Sequence, residues 1–223
     1  MYSWYHFIQE FLENSYKGGA VLHLLTIFWE VFMHLKCETK RLILEILPSS
    51  YAKQVLNFYK ENKEHIEPWE AKRDKMFYTE TYQRSLLEAE YNEMIKSKMV
   101  RYYLFEKSKP DVIIGSVSAA NIRYGAFDSC NIGYKMHKEY CGQGYCKEAV
   151  AELLRILFHE FHLHRIEAMV HPKNKPSISV LESVGFEQEG LAKDAAKLQG
   201  AWQDMYRYGI VAEKNNGEHP RKI

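Results

Sequence analysis

Tyr140-Cys141-Gly142-Gln143-Gly144-Tyr145-Cys146 joins two runs of different periodicity. Upstream, Ser129 to Met136 alternates, with Ile132, Tyr134 and Met136 on one side, and reads as a strand. Downstream, Ala149, Val150, Leu153, Leu154, Leu157, Phe158 and Phe161 recur at spacings of three and four, which is one apolar helix face. Strand, glycines and helix in that order make an anion cradle. The glycines remove side chains so that backbone can approach a ligand, and the unpaired N–H groups of the first helical turn point at it. A phosphate fits such a place. Taken alone, a Gly-x-Gly between strand and helix is equally a tight turn.

With 223 residues, 46% hydrophobic and 26% charged, the chain suits one globular domain with an extension, or two small domains. A net charge of +1 supplies no basic field for nonspecific nucleic-acid binding. The 16 tyrosines are scattered without interleaved basic residues, so packing accounts for them better than base stacking. Cys37, Cys130, Cys141 and Cys146 contain no CxxC pair and no zinc spacing, and no secretory signal precedes them. A reducing, cytoplasmic setting follows. In His159-Glu160-Phe161-His162 the second His comes one residue too early for HExxH, so no metal is expected.

Residues 1–36 form an apolar extension. Val21 to Leu35 carries Phe28, Trp29, Phe32 and Met33 but also His23, Glu30 and His34, too short and too charged to span a bilayer. Leu24, Leu25, Phe28, Phe32 and Leu35 share a helical face. An amphipathic helix docked on the body or on a second subunit is expected, which leaves a homodimer open. A membrane-surface anchor and a poorly ordered appendage are the alternatives.

From Arg41 the signals alternate. Leu42, Leu44 and Ile46 suggest a strand stopping at Pro48, and Ser50 is placed to cap a helix over Tyr51 to Lys60. A second helix is predicted over Thr79 to Met94, with the Glu67-Pro68-Trp69 break and a solvated charged run, Glu70 to Lys75, between the two. Val100 to Glu106 and Val112 to Ile122 read as a hairpin turning near Pro110-Asp111. After the long helix come a strand, Arg165 to Val170, and a short helix, Pro176 to Val184, with Gly185 suited to a left-handed cap. Gln188 to Leu198 reads as a connection broken at Gly190, Trp202 to Val211 as the last strand, and residues 214–223 as a frayed tail. This is a mixed α/β chain of the α+β kind, with its main domain over 37–213.

An ordered set of segments resembles the GNAT acyltransferase superfamily, and within it the branch of ribosomal-protein-alanine N-acetyltransferases. The set runs from Glu38-Thr39-Lys40-Arg41-Leu42-Ile43-Leu44 through Ile132 to Tyr145, His164-Arg165-Ile166-Glu167-Ala168 and Asn174-Lys175-Pro176-Ser177. It closes with Val180 to Phe186, Glu189 to Asp194 and Gly200 to Asp204. The resemblance implies a mostly antiparallel sheet of about seven strands flanked by helices, with a central splayed strand pair that binds acetyl-CoA. The diphosphate would lie over the amides of Gly142, Gln143, Gly144, Tyr145 and Cys146, beside Cys141. The pantetheine arm would follow the edge at Tyr134, Met136 and His137, with Asn174 and Ser177 beyond. A pantetheine arm carries amides that pair with an open strand edge as another strand does.

Three departures stand out. Cys146 and Cys141 replace residues that the family usually has as Gly or Ala and as Trp, and read either as small packing residues or as redox-sensitive thiols. Leu181 stands where many members carry the tyrosine that protonates the leaving thiolate. Ser177 resembles the serine suspected of that role in this branch, or else it is a first-turn capping serine.

Acetyl transfer needs a neutral nitrogen, a polarised carbonyl and a path for a proton. An α-amino group of pKa roughly 7.7 to 8.0 is far more often neutral at pH 7 than a lysine near 10.4. A protein N-terminus is therefore the favoured acceptor, that of a ribosomal protein as the resemblance implies, with a small amine such as an antibiotic or polyamine as the alternative and a non-catalytic CoA-binding scaffold as a third reading. Glu167 and Asp194 are candidate bases; Glu167 could instead pair with Arg165, and Asp194 could hold a loop. A backbone N–H near Met136 or His137 would polarise the carbonyl. By resemblance, Glu67 to Trp69 and Asn121 to Phe127 are acceptor-side loops.

Overall fold

The structure, a computed structural model, describes residues 35–212. The extension and the tail expected at the two ends lie almost wholly outside the described residues. In chain order the elements are β1 (Lys36–Glu38), β2 (Leu42–Glu45), α1 (Ala52–Glu61), α2 (Lys63–Ile66), α3 (Glu80–Ile95), β3 (Val100–Glu106), β4 (Lys109–Arg123) and β5 (Ser129–Met136). Then follow α4 (Tyr145–His159), β6 (Arg165–Val170), α5 (Lys175–Ser183), β7 (Glu187–Leu198) and β8 (Ala201–Val211). Short 3-10 turns occupy Ser49–Tyr51, Glu67–Trp69, Lys75–Tyr78 and Lys138–Tyr140.

The strands make one sheet of eight in the order β1-β2-β3-β4-β5-β6-β8-β7. From β2 onward every pairing is antiparallel except β5 with β6. That parallel pair holds for three residues only, Ser129 to Asn131 against Arg165 to Glu167. Beyond it the two strands part, so Ile132 to Met136 keeps an edge with no strand beside it. The expected splay is therefore present at the centre of the sheet.

Helices cover both faces. Val55, Phe58 and Tyr59 of α1 and Leu87 of α3 pack with Leu47, Tyr103, Phe105 and Ile113 in one buried cluster. On the other side Ala149, Val150, Leu153 and Leu157 of α4 are fully buried, the face that the three-and-four spacing predicts. Burial of each such aliphatic side chain contributes about 1.5–3 kcal/mol, so this layer fixes where α4 begins.

Several expectations change. Residues 187–198 form a strand, not a connection, paired along β8 with register shifts after Gln188 and after Ala192. It is an edge strand with no buried residue; its alternation is thereby lost, and the bulges reset what remains. β4 begins at Lys109, before Pro110, at a strand end where proline's missing N–H is tolerated. Ser50 sits inside a 3-10 turn, and neither that turn nor α1 has a side-chain cap. The run from Glu70 to Lys75 is not simply solvated: Glu70 pairs with both Lys135 and Arg73, and Arg73 stacks over Phe77 at 4.0 Å and Tyr59 at 4.5 Å. Gly185 has the left-handed φ of +95° expected after α5.

Candidate active site

The cradle between β5 and α4 is built from two left-handed glycines, Gly142 at φ +76° and Gly144 at φ +80°. Gly144 is the N-cap of α4. Both angles suit glycine and cost an L-residue about 1–2 kcal/mol. Nothing lies within 4 Å of the position a Cβ would take at Gly142, so the bend is not filled by its own side chains. The free N–H groups of the first turn of α4, from Tyr145 on, face outward there.

Arg41, just before β2, organises the cradle from outside. Its Nη1 donates to the Gln143 carbonyl at 2.9 Å, its Nε to Glu148 Oε2 at 2.7 Å, and its guanidinium lies 4.3 Å from the Tyr145 ring centroid. Glu148 Oε1 also accepts from the Thr39 hydroxyl at 2.6 Å and the Arg41 N–H at 2.8 Å. Burial pushes this carboxyl up, but these donors outweigh it and hold Glu148 below the ordinary range. A carboxylate in the first turn of α4 would repel a phosphate, and Arg41 cancels it. Tyr145 anchors the turn by donating to Glu106 at 3.0 Å.

A cleft of about 780 Å³ runs from this cradle along the free edge of β5, a volume within the usual range for ligand sites. Tyr134, Met136, Cys141, Gly142, Gly144, Tyr145, Cys146, Asn174 and Ser177 line it. His137 and Gln143 do not. The His137 N–H donates to Ile114 at 2.8 Å, and the Gln143 side chain turns back to the Glu139 carbonyl at 2.8 Å. Successive strand N–H groups point to opposite edges. The Met136 N–H therefore faces the splay, and it alone of the two expected donors can polarise a carbonyl there.

Asn174 caps α5, its Oδ1 accepting from the Ser177 N–H at 3.3 Å. The Ser177 hydroxyl instead meets Tyr134 OH at 2.9 Å, and the same phenol donates to the Ser177 carbonyl at 2.8 Å. Burial pushes the Tyr134 phenol well above its ordinary value. Cys146 is pushed up to about 12 by burial. Cys141 is also raised by burial, with His65 Nε2 3.5 Å from its sulfur. Both stay thiols at neutral pH, which suits packing residues.

Glu167 and Asp194 fall outside the residues lining the cleft. Glu167 accepts from Arg165 at 3.1 Å and has Arg207 and Arg123 at 3.9 and 4.0 Å. Asp194 lies in the irregular part of β7 at φ +45°, its N–H on Asp204 at 3.0 Å. The 121–127 loop also stays away from the cleft. Of Glu67 to Trp69, Trp69 does reach it: Trp69 and Glu70 line the cleft with His65 and Ile66, and the Trp69 ring lies 5.8 Å from that of His171. Two features escaped sequence reasoning. Arg41 and Glu148 are 107 positions apart, and only the Thr39-Lys40-Arg41 signature hinted at them. Gln199, at the β7–β8 turn, donates from its side chain to the Glu67 and Glu70 carbonyls at 2.6 and 3.1 Å and from its N–H to Glu70 at 3.2 Å. That strap ties the hairpin tip to the wall of the cleft.

Residues 41–187 match the family model described as "Acetyltransferase (GNAT) domain". The chain is 34% identical over 172 residues to a probable N-acetyltransferase, YjcK, of Bacillus subtilis, covering 77% of this chain and 94% of that one. It is 33% identical over 168 residues to the [ribosomal protein uS5]-alanine N-acetyltransferase of Escherichia coli, covering 74% and 85%. The solved structure of Mycobacterium smegmatis RimJ in complex with CoA-disulfide superposes with a TM-score of 0.73 at 30% identity, over 79% of this chain and 84% of that one. Cradle, splayed strands and these relatives agree: the chain belongs to the GNAT acetyltransferase family and is an acetyl-CoA-dependent N-acetyltransferase.

Proposed function

We propose that this enzyme acetylates the free α-amine at the end of a polypeptide, with a ribosomal protein as the acceptor class suggested by the name of its E. coli relative. The observation that carries the reading is the Gln199 strap. It bridges from the β7–β8 turn to the Glu67–Glu70 wall, so an acceptor enters end-on beneath a fixed crosspiece and not from the side. Beyond the wall, sharing Trp69 and Glu70 with the cleft, lies a second hollow of about 650 Å³ that also contains Phe77, Tyr82 and Leu198. A polypeptide whose first residue sits at the thioester has room there for the residues that follow, and a compact amine leaves that space unused.

In this reading the cradle amides of Gly142 to Cys146 hold the diphosphate, the β5 edge holds the pantetheine arm, and the Met136 N–H polarises the thioester carbonyl. Ser177 sits where the departing sulfur would be. An α-amine near pKa 8 is neutral often enough at cellular pH that a water relay is an adequate base. Neither Glu167, amid its arginines, nor Asp194, on the edge strand, touches the cleft. Acetyl transfer is assigned to residues 37–213, and the compartment is the cytoplasm, in keeping with Cys130, Cys141 and Cys146 all being thiols. Among the described residues no helix is long and apolar enough to cross a membrane.

The test is a panel: labelled acetyl-CoA with Ala- and Ser-starting peptides, the same peptides blocked at the N-terminus, polyamines and aminoglycosides. Label on free-N-terminus peptides alone supports the reading. Label confined to small amines overturns it.

A further inference from the structure

The cleft contains a hydroxyl pair that a merely structural account leaves unexplained. Leu181, only 1% exposed, lines the cleft with an apolar side chain at the position where, by resemblance, many members of the family carry a tyrosine. Three other hydroxyls along the cleft are engaged elsewhere: Tyr145 donates to Glu106, Ser183 to the Val180 carbonyl at 2.8 Å, and Ser118 to the Gly133 carbonyl at 3.3 Å. Tyr134 and Ser177 instead face each other across the splay, one from the free edge of β5 and one from the first turn of α5.

Counting hydrogens gives this pair two states. The Tyr134 phenol has one hydrogen and two acceptors within reach on the same residue, the Ser177 carbonyl at 2.8 Å and the Ser177 Oγ at 2.9 Å. When that hydrogen lies on the carbonyl, the Ser177 hydroxyl donates back to the phenol oxygen. When it swings to Oγ, the phenol satisfies the serine oxygen and the Ser177 hydrogen is released toward the cleft. Negative charge growing on a sulfur in the cleft favours the second state. Burial keeps the phenol protonated far above the pH at which an α-amine becomes neutral, although the Ser177 hydrogen bond pulls the other way.

We propose that Tyr134 is a positioning residue for the leaving group: its hydroxyl orients Ser177 so that the serine hydrogen is delivered to the thiolate of coenzyme A. The inference rests on the placement of the thioester beside Ser177 argued above. As the acceptor nitrogen bonds to the acetyl carbon, the carbon–sulfur bond breaks and its electron pair stays on sulfur. The sulfur takes the Ser177 hydrogen. In the same step a solvent proton replaces it on the Ser177 oxygen, so that no alkoxide forms; that proton is equal in number to the one that the acceptor nitrogen gives up, and Tyr134 stays protonated throughout. The phenol of Tyr134 thus reaches from the sheet into the region that Leu181 leaves without a hydroxyl.

The experiment compares Tyr134→Phe, Ser177→Ala, the double variant and Ser177→Thr. Thiol release from acetyl-CoA is followed with an Ala-starting hexapeptide and with water as acyl acceptors, and coenzyme A affinity is measured by calorimetry. Tyr134→Phe should lower kcat about 10- to 100-fold with KM and coenzyme A affinity within about threefold. The double variant should be no slower than the slower single one by more than about threefold, because the two groups act as one unit. Ser177→Thr, which keeps the hydroxyl, should retain most of the rate. A full-rate Tyr134→Phe, a loss confined to KM or coenzyme A affinity, or additive losses overturns the assignment, as does coenzyme A binding with no thiol release by the unaltered protein. Failure of the unaltered protein to bind coenzyme A sinks the acetyl-transfer reading itself, a separate outcome.

Discussion

Arg41 donates from Nη1 to the backbone carbonyl oxygen of Gln143 at 2.9 Å. In a trans peptide the carbonyl and the next N–H point in opposite directions. Holding the Gln143 oxygen outward therefore turns the Gly144 N–H into the cradle, so a residue 102 positions away sets the aim of a phosphate donor.

Replacing Arg41 with Ala should release that peptide plane and leave Glu148 unneutralised beside the diphosphate. Hydrogen bonds to charged groups contribute about 1.5–3 kcal/mol when removed, and part of this appears in ligand affinity. We expect coenzyme A to bind about 10-fold more weakly, or about 1.4 kcal/mol, by calorimetry. Arg41→Lys should recover less than half of this free energy, because an ammonium cannot donate to Gln143 and Glu148 in the same fork geometry. Unchanged affinity in Arg41→Ala would remove Arg41 from the site.

The same cluster gives a pH dependence with a fixed sign. Burial raises the Glu148 carboxyl, yet donation from Thr39 and Arg41 brings it below its ordinary value of 4.5. A depressed carboxylate contributes stability that is fully present above 4.5 and lost as pH falls through the folded value. Melting temperature should therefore drop on acidification below pH 4.5 in the unaltered protein. Glu148→Gln should start lower at pH 7 and fall less steeply over that window. Parallel curves would show that the cluster has no net charge linkage.

What the sequence disclosed was local. The cradle, α4 and the Asn174 turn each sit within about ten residues of the signal that reveals them, because periodicity and capping are short-range physics. β7 was hidden by its own position: an edge strand exposed on both faces has no reason to alternate, and two register shifts scramble what alternation remains. The run from Glu70 to Lys75 reads as solvent-facing because Lys135, the partner of Glu70, lies 65 residues away on a strand that reads as apolar. The cofactor-side residues were legible and the groups that orient them were not. Arg41, Gln199 and the Tyr134 contact with Ser177 are all long-range pairings that only the sheet brings together.

The two cradle cysteines should prove dispensable. Cys146 is pushed up to about 12 by burial and Cys141 is raised too, so little thiolate exists at pH 7.5. Cys141→Ser should keep coenzyme A affinity and turnover within about twofold, and both thiols should react with iodoacetamide more slowly than free cysteine of pKa about 8.5. Rapid alkylation of Cys141, exposed at the cleft, blocked by coenzyme A and abolishing activity, would restore a redox-sensitive role.

Gln199 should control which amines are accepted. Its side chain contributes two of the three hydrogen bonds that tie the β7–β8 turn to Glu67 and Glu70, at 2.6 and 3.1 Å, and its backbone N–H supplies the third at 3.2 Å. Gln199→Ala keeps only the last, so the crosspiece loosens while the contacts that hold the cradle, Arg41 with Gln143 and Tyr145 with Glu106, are untouched. Each neutral bond is worth about 0.5–1.5 kcal/mol net, enough to shift the strap between closed and open populations about 10-fold. Initial rates on an Ala-starting hexapeptide should fall about 3- to 10-fold in kcat/KM from poorer orientation, with coenzyme A affinity unchanged. A hexapeptide blocked at its N-terminus and carrying an internal lysine should be inert with the unaltered enzyme and become a measurable substrate of Gln199→Ala above pH 9, where lysine is more often neutral. If the ratio of the two peptides is the same in both proteins, the strap plays no part in acceptor choice, and the end-on entry that distinguishes a polypeptide terminus from other amines has to be sought in the Trp69 and His171 wall instead.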